Sequence, residues 1–162
     1  MELCTLGKQK PYAMKSLFDT DAHQEVLDRL RKITAETQPT WGKMNAGQMM
    51  RHCQLPLEIA LGRTTLPKPN FIMGLLMKSF KKGMYDDKLW KKNMPTPKQF
   101  RVEDKRDFDK EKSTLTRLVT DFHDTRTQKD RDPHPAFGHF TYDQWGQMQY
   151  KHIDHHFRQF GV

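Results

Sequence analysis

Two histidines at positions 152 and 156 open the chemistry of this chain. Four residues apart on a helix, they stand one turn apart on a common face, where two imidazoles can grip one metal ion. Trp145 and Met148 share that face, so the pair is expected to point into the protein rather than to bulk water. His52 sits on another helical segment with Met49 and Ala60 on the same side. Two nitrogens from one helix and one from a facing helix give a three-histidine site with at least one position left for water or substrate. Three neutral imidazoles suit zinc, nickel or iron, and zinc is the default for this ligand set. The spacing also admits a plainer reading, a cluster of core or rim histidines satisfied by hydrogen bonds, because a chain with 8 histidines pairs some of them by chance.

Around this trio stand the candidates for proton transfer, His134 and His155. His155 is rotated by about 100° from His156, and His134 lies between Pro133 and Pro135 in a loop ahead of the last helix. Gln159 follows His156 on the same face and is placed to orient a bound water or to close the core. Asp154 is expected on the outer side, paired with Lys151 or Arg158. Cys53 directly follows His52 and reads as a small buried apolar residue. No Gly-rich phosphate loop, His-Glu-x-x-His signature or Ser-His-Asp order is present.

These residues need rods to hold them, and the chain supplies four. The first is expected from Asp21, acting as cap, with Val26, Leu27, Leu30 and Ile33 as its stripe. Asn45 with Gln48 forms a capping signature for a second, which carries His52 and an awkward Pro56, so a kink or loosening is expected there, before a stop near Gly62. A third runs from about Asp109 to Thr125 with Leu115, Leu118, Val119 and Phe122 inward. Thr141 with Gln144 starts the last, which runs to about Phe160. Residues 1–17 lack periodicity and read as a loosely attached arm, leaving 18–161 as the domain. Between the second and third rods lies a long excursion, with a short helix expected over 70–80. With no strand pattern, the class is all-α, a helical bundle.

Bulk properties bound the function. A chain of 162 residues can bury one core. Cys4 and Cys53 make neither a disulfide framework nor a thiolate zinc knuckle. No apolar run reaches the roughly 20 residues needed to cross a bilayer, and no signal peptide is evident, so no membrane and a cytoplasmic location are expected. The net charge is +8, and eleven Lys/Arg face four acids between Arg63 and Lys105. Such a patch attracts nucleic acid, anionic lipid or anionic small molecules, although a solvated connecting segment explains it more simply.

The chain resembles the DinB/YfiT-like superfamily of metal-dependent enzymes and, within it, the group labelled DUF1569. The resemblance is carried by Trp41-Gly42-Lys43-Met44, by Gln48 through Cys53, by Asn93-Met94-Pro95-Thr96-Pro97 and by His134-Pro135-Ala136-Phe137-Gly138. Tyr150 through Gly161 carries it most closely. It implies a four-helix bundle of up-down-down-up arrangement, from which the long basic excursion over 66–105, an extra segment between helices 2 and 3, departs. It also implies a metal held by His52, His152 and His156, and chemistry of transferase or isomerase type with a low-molecular-weight thiol. Three readings follow: a metal-dependent enzyme acting on a small-molecule substrate, by thiol transfer or hydrolysis; a non-catalytic metal-binding or stress-related protein; and a basic polyanion binder, with nucleic acid the least favoured partner. A homodimer through helix faces is open.

Overall fold

A turn between Ser16 and Asp19 delivers the chain to its first helix. The Ser16 N–H donates to Asp19 Oδ2 (3.2 Å) and the Asp19 N–H to the Ser16 carbonyl (2.9 Å). Helix α1 (Thr20–Lys32) therefore starts ahead of the expected Asp21, which lies in its first turn and complements the helix dipole instead of capping it. The other three long helices begin where their caps dictate. They are α2 (Ala46–Ala60), α4 (Phe108–Asp124) and α5 (Tyr142–Gln159), with α3 (Phe71–Phe80) in the excursion between α2 and α4. Asn45 with Gln48 and Thr141 with Gln144 form reciprocal capping boxes, and Asp107 caps α4. α2 continues through Pro56 to Ala60.

The structure, a computed structural model, describes residues 14–162. Among them are five α-helices, short 3₁₀ turns and no strand, so the chain is all-α as expected. α4 lies along α2 and touches α1, while α5 touches both α1 and α2. The apolar stripes meet at the centre. Val26, Leu30, Ile33, Met49, Leu57, Leu115, Val119, Phe122, Ile153 and Phe157 are buried together, and Leu27 packs at the edge. Each large side chain withdrawn from water this way contributes about 1.5–3 kcal/mol, which is what holds the helices to one another.

The expected arm falls mostly outside the described residues, but Leu17 at its end is fully buried and donates its N–H to the Gly146 carbonyl (3.0 Å). Gly146 makes that contact possible. A Cβ there would sit 2.0 Å from Ser16 Oγ and 2.6 Å from the Phe18 ring.

Asp154 corrects the expectation that placed it outside. It is buried and accepts from Arg29 Nη1 of α1 (2.7 Å) as well as from Arg158 Nε (2.7 Å). Lys151 is not its partner. That ammonium is also buried and donates to the Gly83 and Asp86 carbonyls (2.8 and 2.9 Å) and to the Asp86 carboxylate (2.5 Å). A buried cation needs several acceptors to offset its lost hydration. Here they come from the excursion, which is thereby pinned across the histidine-bearing face of α5.

Candidate metal centre

The helical spacing acts as the sequence demands. α5 turns His152 and His156 to the same side, with ring centroids 4.9 Å apart. α2 brings His52 against both, at 5.1 Å from His152 and 4.6 Å from His156. One nitrogen from each ring lies within 4.8 Å of the other two, and His52 Nε2 stands 3.1 Å from His152 Nε2. Around a tetrahedral ion bound at about 2.0–2.1 Å, imidazole nitrogens stand about 3.3 Å apart, so the His52–His152 pair is already near that spacing and the wider separations, within 4.8 Å, would close on the ion. Among the described residues no fourth His, Cys, Asp or Glu joins the group.

Hydrogen bonds fix which nitrogen His52 and His156 offer. The Phe100 carbonyl can only accept, so His52 Nδ1, 2.8 Å away, carries the proton and leaves the Nε2 lone pair facing the cluster. A relay does the same for His156. Gln159 Nε2 donates to the Trp41 carbonyl (2.7 Å), which turns Gln159 Oε1 toward His156 Nδ1 (2.8 Å) and requires a proton there. His156 Nε2 is thus the free ligand atom. His152 Nδ1 is buried and has no partner among the described residues. Burial pushes all three rings below the ordinary histidine range, His156 to about 3, and their mutual repulsion adds to it for His152 and His156. Neutral imidazoles with lone pairs inward are the form that binds a metal.

The relay depends on Gly42. Its φ of +83° is left-handed, and a Cβ there would lie 2.4 Å from Gln159 Nε2. Gly42→Ala must therefore swing the Gln159 amide away, and Gln159→Leu removes it outright. Both variants are expected to keep the fold and to bind a divalent ion about 10–100-fold more weakly, the usual effect of losing a group that orients a ligand histidine. Competition with a chromophoric chelator measures this, and an unchanged affinity in Gln159→Leu would show that the relay does not matter.

The other candidates separate. His155 stays beside the trio, its ring 5.2 Å from His156 and between Trp41 (6.0 Å) and Trp90 (5.5 Å). Trp41, Trp90, His155, Lys151 and Arg158 line a cleft of ≈ 250 Å³ there. His134 is not brought to the cluster. It packs on Trp145, two turns before His152 on α5, and its Nδ1 accepts from the N–H groups of Ala136 (3.1 Å) and Phe137 (3.3 Å). Cys53 is fully buried against Met49 and burial drives its thiol pKa up, so it is a core residue and no ligand. Trp90, which the sequence reading overlooked, covers His152 at 5.9 Å and anchors its indole N–H on the Gly83 carbonyl (2.7 Å). A lone tryptophan amid lysines was its only signal.

No curated protein and no solved structure matches the chain. A family model does, described as a protein of unknown function (DUF1569), and it covers residues 13–161. That span takes in every helix among the described residues and all three clustered histidines, and the chain belongs to the DUF1569 family.

Proposed function

We propose that this protein is a divalent-metal-dependent enzyme acting on a small molecule, by transfer of a low-molecular-weight thiol or by hydrolysis. The observation that carries the reading is the convergence of three buried imidazoles, two of them oriented by hydrogen bonds, with no fourth protein ligand among the described residues. A structural site closes its coordination with protein groups, whereas a catalytic one leaves a position for the reacting molecule. An ion held by His52, His152 and His156 would lower the pKa of a thiol or water at that position, making it a nucleophile near neutral pH.

The chain's own groups supply the rest. Trp90 and Trp41 wall a cleft that His155 lines, and Trp90 also packs on His152 (5.9 Å), although none of the three clustered histidines lines the cleft itself. His155 lines that cleft with its ring 5.2 Å from His156, which supports giving it, in this reading, the proton released by the nucleophile. The scaffold we infer is the DinB-type four-helix bundle. Each of α1, α2, α4 and α5 touches two of the others in cyclic order, which supports it.

The test is a panel of low-molecular-weight thiols with electrophilic acceptors, and of hydrolysable esters and amides, run on zinc- and nickel-loaded protein. Turnover is expected with one class and should fall by more than about a hundredfold in His152→Ala, which takes away both the ion and its activation of the nucleophile. His155→Ala is expected to keep the ion and lose about 10²–10⁴-fold of the rate. Turnover that survives intact in His152→Ala would refute the mechanism.

A further inference from the structure

Helix α3 is apolar nearly all round, yet none of its residues is buried. Its large side chains stand in solvent, Phe71 at 87 %, Ile72 at 79 %, Leu75 at 65 % and Phe80 at 57 % exposure, with Met73 and Leu76 also exposed. At 100° per residue these six sweep about 200° of the helix surface. The remaining side, at Gly74 and Met77, is only half-buried, so the helix stands out from the body. Every large apolar residue exposed among the described residues falls between Phe71 and Met94. Soluble surfaces rarely gather apolar groups this way without a partner for them.

Charge identifies the partner. Lys78 on the helix and Lys68 and Lys82 within three residues of its ends are exposed, and Lys88, Lys91 and Lys92 follow, exposed, in the same excursion. Of the two acids in that stretch, Asp86 is held by Lys151 and only Asp87 is exposed. We propose that α3 is an interfacial anchor that lays its apolar arc into the surface of an anionic lipid bilayer while the surrounding lysines engage the headgroups. Such a helix lies in the plane of the interface, its apolar side at the acyl boundary, and does not cross it. At ten residues α3 is far too short to span, in keeping with the absence of any membrane-crossing helix among the described residues. A second copy is the poorer fit. Two-fold pairing through α3 would set lysines against lysines, and no other apolar patch among the described residues offers a different seat.

Sedimentation of the full chain with vesicles tests the proposal. Binding to phosphatidylglycerol vesicles is expected to be at least about tenfold tighter than to phosphatidylcholine, and to weaken as salt rises. Phe71→Ser/Leu75→Ser should abolish it. Lys78→Gln/Lys82→Gln should weaken it by about tenfold or more. Both pairs alter exposed side chains only, so circular dichroism should match the wild type. Equal binding to both lipids, or none, would overturn the proposal. So would self-association that Phe71→Ser/Leu75→Ser abolishes without any vesicle binding, which would assign the face to a second copy. Vesicle binding that arises only after deletion of residues 1–13 would assign the face to that segment and overturn the proposal equally.

Discussion

Replacing either His152 or His156 with alanine is expected to take the divalent ion content of the purified protein from about one per chain to near zero. Each ring supplies one of three nitrogens lying within 4.8 Å of one another, and among the described residues no other His, Cys, Asp or Glu joins the group to substitute. The loss should exceed the about 10–100-fold foreseen for Gln159→Leu, because that change disorients a ligand and these remove one. The fold should persist, since the apolar core is built from other residues and far-ultraviolet circular dichroism reads it directly. Stability supplies a second readout. An ion present at a thousand times its dissociation constant adds about 4 kcal/mol, or about 10 °C in Tm for a chain of this length. Wild type should show that rise on adding zinc or nickel, and the alanine variants should not. Elemental analysis of protein purified without a histidine tag decides the matter. Equal ion content in wild type and both variants would dissolve the proposed centre.

Local rules made most of this legible in the sequence. Asn45 with Gln48 and Thr141 with Gln144 announce helix starts because a capping box spans only four residues. The spacing of His152 and His156 fixes their shared face for the same reason, and the Leu115–Phe122 stripe is buried as its period requires. What escaped was non-local. The bonds that orient His52 and His156 run to backbone carbonyls of Phe100 and, through Gln159, of Trp41, and a carbonyl has no sequence signature. Asp154 reads as a surface residue because its neighbours on α5 are charged, yet Arg29 draws it inward from 125 residues away. α3 was foreseen as a helix but not as a bare one. Periodicity reports that residues share a face and says nothing of whether another element covers it.

Acid should unfold the metal-free protein between about pH 6.5 and pH 4, well above where carboxylate pairs alone would fail. His52, His134, His152 and His156 are all held below the ordinary histidine pKa, with burial the leading cause. In that window the unfolded chain binds more protons than the folded one, so stability is complete above the unfolded value and drains away as pH falls toward the folded value. His134 isolates the effect, for it lies apart from the trio and its pKa is pushed down to about 4. A displacement of that size corresponds to about 3 kcal/mol of stability lost by pH 4, a large share of the 5–15 kcal/mol typical of a domain. Protonation would also take the Nδ1 lone pair from the Ala136 and Phe137 N–H groups that it now accepts. His134→Asn keeps an acceptor at that position and cannot be protonated, so its unfolding midpoint should move to lower pH while its stability at pH 8 changes little. Saturating zinc should protect wild type and His134→Asn alike by holding the trio deprotonated until protons displace the ion. Identical acid midpoints for wild type and His134→Asn would show that the His134 ring is hydrated in solution and that its burial plays no part in acid stability.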